Sequence, residues 1–364
     1  VPSNDKSCQQ RLIAKRTLSQ QVTRDMIPAD LKHSTLAGEA RNSQLGNTED
    51  ITNKRIALVS SKQLGDVTLL EPMIRLLAER SGNKVALFVK EPFQPLVKLM
   101  PCAIWGPETL GCPPFDELWA TSWGGKTAMK SWKLSSKKKI LLHNRQEHRR
   151  WWYRWIFDEF RMESHGLEYW GRYFWRMAGG DVASFKSSTL NQPPAAWRSP
   201  LLPGIPYLAI VPTSAWPSKL WSAAQWADLT SQIGGLNLGS TPRDLVMLGG
   251  GQEFEKEHCH EIEKLSSGKV HNLCGKTTLK EYLHALAGAS ALVTVDGSAS
   301  HLAQAFGRPT VTLFGPTQEQ RWHHATALNE CLTARHFSAD HKNGPASLVP
   351  VSSVIEALVR VTQI

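Results

Sequence analysis

Apolar positions in this chain fall into short continuous runs, separated by stretches where they recur at helical spacing. Residues 55–60 read Arg-Ile-Ala-Leu-Val-Ser, an aliphatic and β-branched run suited to a strand covered on both faces. It passes through Ser61-Lys-Gln-Leu-Gly-Asp66 into a predicted helix over 67–80. There Leu69, Leu70, Met73, Leu76 and Leu77 share one face, and Glu71-Pro72 stands near the start. A second strand run covers 84–89, which completes a βαβ unit. Further strand runs lie at 117–121 and 139–142, and 143–177 is aromatic, basic and compatible with a long helix. After a Pro-rich link between Asn191 and Pro206 the alternation restarts. The pattern predicts strands at 207–211, 244–248, 270–273, 291–295 and 310–314, and helices at 222–233, 253–265, 278–286, 301–306 and 351–361. Two successive βαβα halves predict an α/β protein with two doubly wound sheets and a cleft between them. The expected organisation is a polar extension over 1–53, domains over 54–200 and 201–345, and a terminal helix within 346–364.

Composition narrows this picture. The 364 residues are 41% hydrophobic and 20% charged, enough for two cored domains and too ordered for a disordered or low-complexity chain. No apolar run approaches the length of a membrane span. Residues 1–50 are polar, with some helical character around 9–26 and no apolar leader segment, so a cytoplasmic location is expected. The six cysteines are widely spread without a Cys-x-x-Cys pair, which points to free thiols. The formal charge of +10 suggests an anionic partner. Residues 126–176 carry thirteen Lys and Arg against five Asp and Glu, together with six of the Trp residues. Such a mixture suits an anionic membrane interface or a phosphorylated glycolipid, or else a solvated face with its Trp packed inward.

Chemistry-bearing residues gather where strands give way to helices, the place where open α/β sheets bind ligands. Gly65-Asp66 offers a tight turn and a carboxylate that is either a helix cap or a catalytic base. Thr213, Ser214 and Lys219 follow the strand at 207–211 and supply two hydroxyls and an ammonium, a set that suits a phosphate. Gly249-Gly-Gly-Gln252-Glu253 is a glycine-rich turn that matches neither G-x-G-x-x-G nor a P-loop. Most informative is Asp296-Gly297-Ser298-Ala299-Ser300-His301. A buried strand ends on a carboxylate, and small residues open the following helix, whose exposed amides and dipole suit a diphosphate. Phe314-Gly315-Pro-Thr317 ends the next strand beside it.

Taken together, Gly65-Asp66, Lys219-Leu-Trp221, Leu248-Gly-Gly-Gly-Gln-Glu253, Asp296-Gly-Ser-Ala-Ser-His301 and Phe314-Gly-Pro-Thr317 resemble the lipopolysaccharide heptosyltransferases, glycosyltransferase family 9, over about residues 54–320. The resemblance implies a GT-B fold and inverting, metal-independent transfer from an ADP-heptose donor, with no cofactor besides that donor. The acceptor implied is lipid A carrying Kdo, or a heptosylated inner core, at the inner face of the inner membrane. By the same resemblance Asp66 is the base and Lys219 contacts phosphate. Thr213, Ser214, Gln252 or Glu253, Asp296, the 297–301 turn, Gly315 and Thr317 hold the donor. The basic stretch nominates Lys137, Lys138, Arg149, Arg150 and Arg154 for the acceptor. Residues 1–53 and the abundance of Trp depart from the family pattern, and the exact sugars stay open. Another nucleotide-sugar donor or acceptor on the same scaffold, and a non-catalytic protein that binds an anionic glycolipid or nucleic acid, are the alternatives. A nucleic-acid partner is not expected, because no RRM, KH, zinc-finger or helix-turn-helix pattern is present. His258-Cys259-His260 is a poor metal site, since adjacent ligands diverge on a helix.

Overall fold

Among the described residues, twelve strands form two six-stranded sheets in which all neighbouring strands run parallel. The structure is a computed structural model and describes residues 50–122, 124–143, 150–162, 166–204, 206–233, 244–267 and 270–363. The first sheet contains β1 (Ile56–Val59), β2 (Val85–Phe88), β3 (Ala103–Trp105), β4 (Phe115–Ala120), β5 (Ser136–His143) and β6 (Glu159–Met162), in the order β3-β2-β1-β4-β5-β6. The second contains β7 (Tyr207–Val211), β8 (Asp244–Met247), β9 (Val270–Asn272), β10 (Leu292–Val295), β11 (Thr310–Phe314) and β12 (Asn329–Thr333), in the order β12-β11-β10-β7-β8-β9. Counted within each half, both orders are 3-2-1-4-5-6, the doubly wound arrangement with a switch point beside the first strand. The central strands are aliphatic because helices cover both faces. Every residue of β1, β7, β10 and β11 is buried.

The helices are α1 (Leu64–Thr68), α2 (Glu71–Ser81), α3 (Gln94–Leu99), α4 (Gly125–Lys133), α5 (Trp170–Met177), α6 (Ala223–Ile233), α7 (Glu253–Leu265), α8 (Leu279–Gly288), α9 (Ser298–Ala305), α10 (Glu319–Trp322) and α11 (Val351–Thr362). The helix expected over 67–80 is thus two helices. Pro72 has no N–H to offer the carbonyl of Thr68, and the Ser188 hydroxyl donates to that carbonyl instead, at 2.9 Å. The long helix considered for 143–177 is also absent among the described residues. Its chain makes a 3-10 turn at Trp151–Trp155, then β6, then α5. The turn forms because Tyr153 and Phe157 bury themselves against β4 and β5 in a small aromatic core. The short edge strands β3, β6 and β12, and helices α3 and α4, were not marked by periodicity.

The core of the first domain takes in residues before Lys54. Ile51 is buried in the first core, and the Asn53 amide donates to the Ser81 carbonyl at 2.9 Å. The helical character expected around 9–26 lies outside the described residues. The Pro-rich link is stitched to both halves. The Leu190 amide donates to Ala305 at the end of α9, and the Asn191 amide donates to Leu99 at the end of α3. Glu71, buried in α2, accepts the Thr189 amide at 2.9 Å, and burial pushes its carboxyl up. Helix α11 packs on α6, β11 and β12 through Val354, Ala357, Leu358 and Val361, so the terminal helix belongs to the second domain.

Candidate functional site

Parallel strands bring their carboxyl ends to one edge of each sheet, and the two edges meet where α1 packs against α9. The approach is close enough to require a glycine. A Cβ on Gly65 would lie 2.9 Å from Cδ2 of His301 and 3.2 Å from the Ser298 Cα. Gly65 therefore lets the two domains touch at the point where Asp66 follows.

Asp66 is half-buried. It accepts the Gln63 amide at 3.2 Å as a cap, and it lines a cavity of about 140 Å³. Burial pushes its carboxyl above the ordinary range. Opposing this are the charge of Lys62, backbone hydrogen bonds and the charge of Lys219 from the second domain. The cavity is shared by both domains. Ser60, Lys62, Asp66 and Thr121 give it a polar side, while Trp170, Tyr173, Phe174 and, from the second domain, Trp322 give it an aromatic one.

Across from Asp66 stands a compact ionic cluster. Lys219, on a 3-10 turn after β7, places Nζ 2.6 Å from Oδ2 of Asp296, and the Thr317 hydroxyl donates to the same oxygen at 2.6 Å. Asp296 is 2% exposed at the end of β10. Lys219 also lies over the Trp216 ring at 4.9 Å. Ser214 approaches Gly297, whose added Cβ would stand 3.7 Å from the hydroxyl. Thr213 is buried beside Gly249, where a Cβ would meet Cys274 Sγ at 2.6 Å and Thr213 Oγ1 at 2.9 Å. The turn after β8 thus owes its first glycine to packing.

Within the 297–301 turn only Gly297 and Ser298 keep partial exposure. Ala299 is buried, and Ser300 turns away to share a hydrogen bond with Thr312 at 2.9 Å. His301 is also buried. Its Nδ1 has no hydrogen-bond partner, and burial drives its pKa down to about 4 against the pull of Asp296, which keeps the ring neutral. Gly315 is explained by backbone proximity, since a Cβ there would lie 2.8 Å from the Ala346 nitrogen.

Gln252 is exposed as the N-cap of α7, and Glu253 is exposed with Lys256 at 3.4 Å. The buried acid at this turn is Glu255, which accepts the Gln252 amide at 3.2 Å and packs against Gly250. The reciprocal spacing Gln252-x-x-Glu255 is the signal that marks it.

The residues nominated for the acceptor divide. Lys137 and Lys138 lie at the amino end of β5, the edge away from the cleft, and pair with Asp116 and Glu159, each at 2.8 Å. The structure does not bring them to the site, because the direction of β5 carries its carboxyl end there. Arg150 and Arg154 are exposed on the Trp151–Trp155 turn beside the exposed Trp151 and Trp155, whose rings meet edge to face at 4.9 Å. Arg149 lies outside the described residues. The other Trp residues are not uniformly outward. Trp132 is exposed, whereas Trp175 is buried with its Nε1 donating to Asp181 at 2.9 Å. Among the described residues no three His, Cys, Asp or Glu side chains converge as metal ligands. None of the described helices is long and apolar enough to cross a membrane.

The sequence profile of glycosyltransferase family 9 (heptosyltransferase) matches residues 123–348, more than half of the chain. The chain belongs to this family. The family 9 protein is also similar to lipooligosaccharide heptosyltransferase 2 of Campylobacter jejuni, 34% identical over 104 residues that make up 28% of this chain and 30% of the relative. The matched stretch thus spans about a third of that relative's length. Among solved structures it resembles the glycosyl transferase family 9 protein of Veillonella parvula, with a TM-score of 0.73 and 17% identity over 87% of this chain and 99% of the other. It also resembles the E. coli ADP-heptose LPS heptosyltransferase II, with a TM-score of 0.69 and 17% identity over 85% and 98%. These two likenesses, together with the paired sheets, give the family 9 chain the GT-B fold.

Proposed function

We propose that the protein is an inverting heptosyltransferase that moves heptose from ADP-heptose to the Kdo or heptose inner core of lipopolysaccharide. The observation that carries this reading is the juxtaposition of a half-buried carboxylate, Asp66, with the Lys219–Asp296–Thr317 cluster across one interdomain cleft. A single displacement at an anomeric carbon needs a base for the acceptor hydroxyl and stabilisation of a departing diphosphate. Asp66 lies in the acceptor-side cavity and takes the proton, a role that typically contributes about 10²–10⁴-fold. Lys219 has three N–H donors, so it can keep Asp296 and also reach a phosphate oxygen. The amides that open α9, with the partly exposed Gly297 and Ser298, face the same region and favour negative charge. Asp296 has a second carboxylate oxygen with which to meet a sugar hydroxyl, and the exposed Glu253 is the acid available to a ribose at the turn after β8.

Contact with an anionic membrane surface is supported by Trp151 and Trp155, both exposed, between Arg150 and Arg154. The membrane in question is the inner face of the inner membrane, where the glycolipid acceptor would be met. The activity is tested by assaying transfer from ADP-heptose to deacylated Kdo–lipid A with wild type and Asp66→Ala, and by measuring ADP binding calorimetrically. Transfer is expected to be nearly abolished while ADP affinity persists. A parallel fall in both would remove Asp66 from the role of base.

A further inference from the structure

The loop that leaves β7 is pinned at both ends to the turn after β10. Ser214 approaches Gly297, whose added Cβ would stand 3.7 Å from the Ser214 hydroxyl, and Lys219 pairs with Asp296 at 2.6 Å. Between these anchors Ala215, Trp216, Pro217 and Ser218 are exposed. Trp216 is the large side chain among them and is 60% exposed, so its indole forgoes most of the burial that favours Trp in a folded chain. The chain nevertheless fixes where that indole stands. Pro217 restricts Trp216 to extended backbone, observed at φ −118° and ψ 111°, and the Lys219 amide donates to the Trp216 carbonyl at 3.0 Å. The Lys219 ammonium then occupies one side of the ring, 4.9 Å from its centroid. The result is a fixed apolar plate, open to solvent, beside the Lys219–Asp296 pair.

We propose that Trp216 is a binding residue for the transferred sugar of the donor, stacking its indole against the C–H face of a pyranose whose diphosphate lies at Lys219. The inference rests on the transfer reaction proposed above and deepens it. The parts of a nucleoside diphosphate sugar follow in fixed order: base, ribose, two phosphates, sugar. With the ribose at the turn after β8, the base lies at the far end from the sugar, and a ring beside Lys219 meets the diphosphate or the group joined to it. The phosphates are poor partners for an indole, because the face of its π-system is negative. The sugar is a good one. Its hydroxyls point outward around the ring edge, where the free oxygen of Asp296 can accept from one, and its C–H groups leave an apolar face for the plate. Stacking on Trp216 also restricts rotation about the sugar–phosphate bond, so the anomeric carbon is presented in one orientation.

The test measures the binding of ADP and of ADP-heptose, without acceptor, by calorimetry on wild type, Trp216→Leu and Trp216→Phe. One indole face offers about 50 Å² of apolar surface, which at the usual area coefficient is worth about eightfold in affinity. Trp216→Leu should therefore bind ADP-heptose about 5–10-fold more weakly than wild type. Its ADP affinity should hardly change, because Asp296 still holds Lys219. Trp216→Phe keeps a smaller aromatic face and should fall between the two. All three proteins should melt together, since the ring is exposed. A loss of ADP affinity as large as the loss for ADP-heptose overturns the proposal, because the ring would then serve the base or only prop Lys219. Unchanged ADP-heptose affinity in Trp216→Leu also overturns it and leaves the transfer reading standing. A wild type that neither binds ADP-heptose more tightly than ADP nor transfers heptose overturns both.

Discussion

Replacing Lys219 by Met should reveal how the Lys219–Asp296–Thr317 cluster is held together. Lys219 and Asp296 are largely buried, at 13% and 3% side-chain exposure, and approach to 2.6 Å. Removing one partner of a buried pair typically costs about 3–5 kcal/mol, mostly because the remaining charge is left uncompensated. Here the Thr317 hydroxyl still donates to Asp296, which sets the expected loss at the lower end, about 3 kcal/mol. Lys219→Met/Asp296→Asn no longer buries a lone carboxylate and should recover part of that loss, with a coupling energy of about 0.5–3 kcal/mol. Urea unfolding followed by Trp fluorescence measures all four proteins of the cycle. In the transfer assay the two single variants should each lose about 10²–10³-fold, the usual effect of removing one preorganised electrostatic donor, and the double variant should not regain activity. A double variant that is no more stable than Lys219→Met would refute the ion-pair argument. A Lys219→Met enzyme with near-normal turnover would refute the placement of Lys219 at the diphosphate.

Gly65→Ala should wedge the domains apart, since its Cβ meets the Ser298 backbone at 3.2 Å; a loss of about 1–3 kcal/mol with a fall in transfer is expected from unfolding and activity assays. The carboxyl of Asp66 is raised by burial, so the folded state holds this proton more tightly than the unfolded chain, and stability declines as pH rises between the two pKa values. Asp66→Asn keeps an oxygen for the Gln63 amide and should therefore be inactive yet more stable than wild type above that window, as read from urea midpoints against pH. His301 has the opposite linkage. Its pKa falls from 6.5 to about 4 on folding, so acidification through this interval protonates the unfolded chain first and erodes stability, an effect that His301→Gln should lessen. Trp151→Ala/Trp155→Ala should weaken binding to anionic vesicles at low salt without moving the melting temperature, because both rings are exposed. Unchanged vesicle binding would exclude that surface.

Much of the site was legible in the sequence because its chemistry is local. Asp66, Lys219, Asp296 and Thr317 each lie in the connection or first helical turn that leaves the carboxyl end of a strand, and the parallel alternation of strands and helices dictates that such positions share one edge. Buried aliphatic runs marked nearly all the central strands, whereas the edge strands β3, β6 and β12, reading Ala-Ile-Trp, Glu-Phe-Arg-Met and Asn-Glu-Cys-Leu-Thr, lack a continuous aliphatic run. The break between α1 and α2 needed the tertiary partner Ser188 as well as Pro72. Charge counting erred for Lys137 and Lys138, since composition has no direction, and only the sense of β5 sends them to the far edge. The cavity beside Asp66 was invisible for a related reason. Lys62 and Trp170 are remote within the first domain, and Trp322 joins them only because the α1–α9 contact brings one domain's cleft edge against the other's. Local order along the chain thus determined which groups would face a ligand, while the packing of two separate sheets decided which of them face each other.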